Sequence, residues 1–290
     1  MSDFLASVRE GDRTAYLATL FAPEPIRPAL FALAAYGLEL KRIVSNAVDP
    51  LAAEVRLQWW RDAIRNEGYG ADAPVPLVMA LREAMDAYTW PADTLCAISE
   101  GRIHDLYADP FPDTDAFDGY AGEVFAAPLQ LAALAFGIHR LGMADGAQAA
   151  RSAATAAGYG GIALAAADAA EREAVRIRAG RTHIPLSLWQ SAGIGDIAPW
   201  LSKARPPTET PAAIAKLVAH GLAADAGMRE AIAALTPVLR GALLPAMTAR
   251  RRLKAVMRRP MAPSTPGPLT IQWTLWRSAR AFNKDVRPSG

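Results

Sequence analysis

Asp105 and Asp109, in Asp-Leu-Tyr-Ala-Asp, are the best-spaced aspartate pair in this chain for holding a metal ion. An i, i+4 spacing sets two carboxylates on one helix face, where they could share Mg²⁺ bound to a diphosphate. Asp109 precedes Pro110, however, which disfavours helical backbone at the aspartate. The plainer reading puts Asp105 near a helix end and Asp109 in a turn. A second cluster is Arg172, Arg176 and Arg181, with Arg178 between them. Arg172 and Arg176 share a helix face, and Gly180 is a natural helix stop. Guanidinium groups suit phosphate because their planar fork donates paired hydrogen bonds. The plainer alternative is pairing with Glu171 and Glu173, plus favourable cations near a helix C-terminus.

Other groupings are weaker. Asp109 and Asp113 share the i, i+4 spacing, but two prolines lie between them. Asp113, Asp115 and Asp118 do not make a calcium loop, because Phe117 occupies a ligand position; N-capping explains Asp113 more simply. His104, His139, His183 and His220 show no ligand spacing, and the lone Cys96 excludes an intrachain disulfide and Cys-based zinc sites. Residues 250–259 hold six cations and no acid. With Leu243, Leu244, Met247, Leu253 and Met257 they read as a basic amphipathic stretch, suited to anionic headgroups or an acidic partner. A solvated helix end is the alternative.

Helices must position these groups. Apolar residues recur at helical spacing over 26–44, 51–65, 76–88, 93–107, 116–137, 147–179, 211–235 and 238–257, with a short final helix over 273–282. No β-branched run bounded by turn signals supports a sheet. About a fifth of the chain is alanine, which favours helix and needs closely approaching helices to form a core. Of the 290 residues, 52% are hydrophobic and 21% charged, which excludes disorder, and a net charge of +2 excludes a generic nucleic-acid binder. The start, MSDFLASVREGD, has neither a signal-peptide core nor a transit-peptide composition, and the longer uncharged stretches do not read as membrane spans. The expectation is one soluble all-α domain over 1–290, with a C-terminal helix and tail over 270–290.

Several segments resemble the squalene/phytoene synthase family across most of the chain. Residues 12–23 (Asp-Arg-Thr-Ala-Tyr-Leu-Ala-Thr-Leu-Phe-Ala-Pro) and 27–36 look like the family's start. Tyr120 to Ala126 resembles its Tyr-to-Ala-Gly helix, and Gly-Arg-Thr-His-Ile-Pro (180–185) its Gly-Arg-x-Tyr-Leu-Pro segment. The resemblance implies an isoprenoid-synthase helical bundle around a central cavity. Active relatives condense two prenyl diphosphates head to head, with Mg²⁺ held by two aspartate-rich motifs. By position, the first motif falls on Ser45-Asn46-Ala47-Val48-Asp49, where only Asp49 is acidic. Counting back from Gly180 without a gap, the second motif's aspartates fall near Arg172 and Arg176; a slip brings Asp168 closer. Arg13, Arg27 and Arg181 match diphosphate-contacting positions, Tyr120 a cavity tyrosine and Asp105 a frequent helix aspartate, while His183 replaces the family tyrosine.

Residues 38–62, including Arg56-Leu-Gln-Trp-Trp-Arg61, and Ile-Gln-Trp-Thr-Leu-Trp-Arg (271–277) resemble a subfamily that lacks the aspartates too. It includes the complex I assembly factor of squalene/phytoene synthase type. This implies a pseudoenzyme acting in respiratory complex I assembly or in isoprenoid or lipid binding. No cofactor is then expected. The alternative is a Mg²⁺-dependent transferase of isoprenoid biosynthesis, condensing prenyl diphosphates with Asp49, Asp105 and Asp109. Arg13, Arg27, Arg172, Arg176 and Arg181 are the candidate anion ligands, and Tyr120 the candidate cavity residue. Candidate partners are a prenyl diphosphate or lipid, a respiratory complex subunit, and a membrane touched through 250–259. The expected location is cytoplasmic, with peripheral contact at the inner membrane.

Overall fold

Alanine dominates the buried side of residues 154–178, so this long helix meets its neighbours at near-backbone distance. A Cβ on Gly161 would sit 2.6 Å from Ala126 Cβ, and one on Gly221 would sit 2.6 Å from Ala166 Cβ. These approaches bind three helices into the central layer. A computed structural model describes residues 2–72, 75–261 and 266–284. The helices are α1 Ser2–Gly11, α2 Arg13–Leu20, α3 Arg27–Ser45, α4 Pro50–Arg65, α5 Pro76–Tyr88, α6 Ala92–Gly101, α7 Thr114–Ala121 and α8 Ala127–Leu141. They continue as α9 Met143–Arg151, α10 Ala154–Arg178, α11 Leu186–Ser191, α12 Ala198–Ser202, α13 Thr210–Ala234, α14 Ala249–Arg258 and α15 Pro268–Lys284. The fold is all-α, with no strand among the described residues.

α10 packs along α13 and against α8 and α14, while α3 packs on α4, α5 and α8. The larger core centres on Tyr36, Leu40, Leu57, Trp60 and Leu95; a second lies between Phe117, Ile177, Trp189 and Leu217. Trp60 is thus the buried tryptophan of the Arg56–Arg61 segment, and Trp59 stacks edge-on against it. α7 and α8 form one helical run, Thr114–Leu141, long and apolar enough to cross a membrane; most of it is buried in the protein.

Five helix expectations need correction. The helix expected over 93–107 stops at Gly101 and tightens to a 3₁₀ segment over Arg102–Leu106. The run over 116–137 has a π turn at Gly122–Ala126, just before Pro128, which has no N–H to offer Val124. The run over 147–179 breaks into α9 and α10, where the Ser152 hydroxyl donates to Ala149 O at 2.6 Å. The run over 238–257 becomes α-helical only at Ala249, because prolines 237 and 245 start 3₁₀ turns. α15 begins before the expected 273.

Candidate functional site

A cavity of about 480 Å³ opens between the end of α3, the 3₁₀ segment, the C-terminal half of α10 and the chain after it. α3 contributes Lys41, the 3₁₀ segment Arg102 and Asp105, α10 Asp168, Glu171, Arg172, Arg176 and Arg178, and the following strap Arg181 and His183. Among the described residues, six cationic side chains face three carboxylates.

The tight 3₁₀ turn has a direct consequence here. Side chains three apart eclipse one another, so Arg102 Nη1 reaches Asp105 Oδ2 at 2.9 Å. Tyr120 donates its hydroxyl to Asp105 Oδ1 at 2.9 Å, and His183 Nε2 lies 3.2 Å from the same oxygen. Arg181 donates to the Asp105 backbone carbonyl at 2.7 Å, tying the strap to this turn. Burial alone would raise the Asp105 carboxyl, but Arg102, His183 and Arg176 hold it well below the usual range. Burial and Arg176 push His183 down to about 4, so at neutral pH it is an uncharged Nε2–H donor to Asp105.

The second anchor is Asp168. Arg176 Nη2 meets Oδ2 at 2.9 Å, while Arg172 Nε and Lys41 Nζ meet Oδ1 at 3.2 and 3.5 Å. Arg176 also donates to the carbonyls of Asp168 and Ala169, each at 3.2 Å. Against the effect of burial, these three cations keep Asp168 well below the ordinary carboxylate range. Glu171 is taken by Arg252 of α14 through two hydrogen bonds, 3.0 and 2.7 Å. Behind the strap, buried Glu173 accepts from the Thr182 hydroxyl and from His183 N. Burial pushes its carboxyl up to about 7, opposed by Thr182 and Arg176.

The cavity thus brings together Asp105, Arg172, Arg176 and Arg181, with Tyr120 bonded to Asp105. It does not gather the rest. Asp49 is exposed and caps α4 by accepting from Leu51 N at 3.0 Å. Asp109 is exposed in the loop before Pro110, while Asp113 caps α7. Arg13 is exposed in the first turn of α2, and Arg27 donates to Ala22 O at 2.8 Å; neither lines the cavity. The three-aspartate set Asp49, Asp105 and Asp109 is therefore not assembled. Lys41, Arg102 and the anchoring role of Asp168 lay outside the sequence expectation. The signal for Lys41 was its place one turn before Ser45, where the first motif falls.

The residues present do not fit a magnesium cluster. Among the described residues, no group of three or more His, Cys, Asp or Glu side chains is placed to hold a metal ion. Asp105 and Asp168 already have their oxygens filled by cations and hydrogen-bond donors, whereas Mg²⁺ needs such oxygens free.

The squalene/phytoene synthase family profile matches residues 8–277. The chain belongs to the squalene/phytoene synthase family. Among solved structures, the squalene synthase HpnC from Alicyclobacillus acidocaldarius superposes with a TM-score of 0.65 at 19% identity, covering 90% of this chain and 95% of that one. A dehydrosqualene synthase solved with a ligand gives 0.69 at 13% identity, covering 98% and 96%. At these identities the likeness establishes the isoprenoid-synthase fold. A curated relative, the homologue of NADH dehydrogenase (ubiquinone) complex I assembly factor 6 from Drosophila melanogaster, is 39% identical over 61 residues. That match spans 21% of this squalene/phytoene synthase-family chain and 18% of the relative.

Proposed function

We propose that this chain is a non-catalytic member of its family, which holds a phosphate-bearing isoprenoid or lipid in its cationic cavity without a metal. One observation carries the reading: Lys41, Arg172 and Arg176 converge on Asp168, where a metal-binding site would need open carboxylate oxygens. Ionising an allylic diphosphate requires cations free to neutralise the charge growing on the leaving group. Cations already held on a buried aspartate are poorly placed for that. They still leave a surplus of positive charge, with Arg178 exposed and Arg181 bound only to a backbone carbonyl. Arg102 keeps a buried Nε–H without a protein acceptor, and a phosphate oxygen is a group that would satisfy it.

The local likeness to a complex I assembly factor supports service in the assembly of that respiratory complex. The binding reading is tested by calorimetry with inorganic pyrophosphate and farnesyl diphosphate, in EDTA and in Mg²⁺. Expected are affinities unchanged by EDTA, a loss on Arg178→Ala combined with Arg181→Ala, and no release of diphosphate from the prenyl ligand. Diphosphate release that requires Mg²⁺ would establish the transferase alternative instead. Unchanged complex I activity after deletion of the gene would refute the assembly role.

A further inference from the structure

One face of α15 is not explained by the fold. Ile271, Leu275 and Ala279 recur every four residues and pack with Ala18 and Leu244. Away from that seam stand Leu269, Trp273 and Trp276, which are 81%, 54% and 39% exposed. The two indoles stack with centroids 4.9 Å apart, and the Arg280 guanidinium lies 5.4 Å from the Trp276 ring. Arg277 is exposed beside them. A stacked tryptophan pair in water is the kind of exposed apolar feature that marks a contact surface.

Charge selects what it contacts. From Ala231 to Lys284 the chain has ten Lys and Arg and no Asp or Glu. Three of these are used internally: Arg240 donates to Leu235 O at 3.1 Å and Ala233 O at 3.3 Å, Arg250 pairs with Asp225 at 2.6 Å, and Arg252 pairs with Glu171. Arg251, Lys254 and Arg258 of α14 and Arg259 just after it remain exposed, and α14 and α15 both pack on residues Pro245–Thr248. The stretch 250–259 could not itself enter a bilayer, since Leu253 and Val256 are in the core and Met257 is its exposed apolar residue. α15 has the pieces that α14 lacks. Amphipathic indoles settle at headgroup level, a leucine reaches the acyl boundary, and arginines meet lipid phosphates. An apolar groove on another protein would match the tryptophans but gives no reason for an acid-free run of cations.

We propose that α15 docks the protein on an anionic lipid bilayer, with Leu269, Trp273 and Trp276 entering the headgroup boundary and Arg277 and Arg280 contacting lipid phosphates. The full chain is sedimented with vesicles of phosphatidylcholine and of equimolar phosphatidylcholine and phosphatidylglycerol, at low and high salt. Binding is expected to the anionic vesicles and to fall with salt. Trp273→Ser with Trp276→Ser should weaken it at least about tenfold. Each of Arg277→Gln and Arg280→Gln should weaken it about fivefold. These side chains are exposed, so melting temperatures should not move. Arg178→Ala with Arg181→Ala should leave vesicle binding intact, which separates this surface from the cavity. No vesicle binding by the wild type overturns the proposal. So does unchanged binding by the double tryptophan variant, which would assign the contact to α14 alone. A dimer that this variant converts to monomer, without vesicle binding, would give the face to a second copy of the chain.

Discussion

Asp168→Asn removes the counter-charge of three cations while keeping the shape of the side chain, so its cost can be worked from the geometry. Breaking a buried ion pair by neutralising one partner costs about 3–5 kcal/mol, because the remaining charge is left desolvated. The three cations do not share this equally. The Arg172 side chain is 44% exposed, so water screens it and its share is under about 1 kcal/mol. Lys41 is 32% exposed and 3.5 Å away, an intermediate case. Arg176, 16% exposed at 2.9 Å, carries most of the penalty, though it keeps its two backbone carbonyl acceptors. The balance falls near the lower end, about 3 kcal/mol. In a chain of this size that lowers the melting temperature by roughly 5 °C.

The same substitution tests the anion site, because it frees the cations that Asp168 occupies. Pyrophosphate should therefore raise the melting temperature of Asp168→Asn more than that of the wild type, in EDTA. The acid limb gives a third readout. The folded Asp168 carboxyl lies below its unfolded value, so its stabilisation is present above about pH 4 and is lost as the pH falls further. The variant should lack this part of the acid loss. Scanning fluorimetry across pH, with and without pyrophosphate, measures all three. A variant that melts with the wild type, or a wild type stabilised more strongly by pyrophosphate, would refute the reasoning.

Glu173 has the opposite pH dependence: its carboxyl moves from an ordinary 4.5 up to about 7. The folded state then holds the extra proton, so stability is full below pH 4.5 and falls as the pH rises through 7. Glu173→Gln should match the wild type in urea midpoint near pH 4 and exceed it at pH 8; curves that stay parallel from pH 4 to 8 would mean that burial does not hold a proton on Glu173. Gly161→Ala should cost about 1–3 kcal/mol by overpacking against Ala126. Gly158→Ala, which meets no atom within 4 Å in the same helix, should stabilise by up to about 1 kcal/mol. Chemical denaturation of the pair distinguishes backbone approach from helix propensity.

The long helices were legible because their apolar spacing is set by a local repeat, as in α3, α4, α5 and α13. The departures come from interactions that periodicity does not contain. A serine hydroxyl competes for a carbonyl at Ser152, and proline removes donors at Pro128, Pro237 and Pro245. The site was legible by halves. Arg172 and Arg176 share a face by spacing alone, and both line the cavity. Their partner was harder to choose, since Glu171 and Glu173 are nearer in sequence than Asp168. The structure sends those glutamates elsewhere, Glu171 to Arg252 and Glu173 to Thr182. Lys41 arrives from another helix, and no local pattern reports a contact across that distance.

The arrangement also explains how a nearly neutral chain can contain a cationic cavity. Asp168 and Asp105 are held as buried anions, each surrounded by donors at 2.9–3.5 Å. Each aspartate therefore fixes several cations in place rather than offering oxygen to a metal. Arg102 and Arg176 are buried beside them, costly to desolvate without such counter-charges. A cavity built this way has its guanidinium groups already oriented, as the proposed anion site requires, and its surplus charge includes Arg178 at the end of α10 and Arg181 just beyond it. Replacing one pairing aspartate should thus loosen the cavity and expose its charge together. A site that used those aspartates as metal ligands would instead lose its metal and keep its arginines where they were.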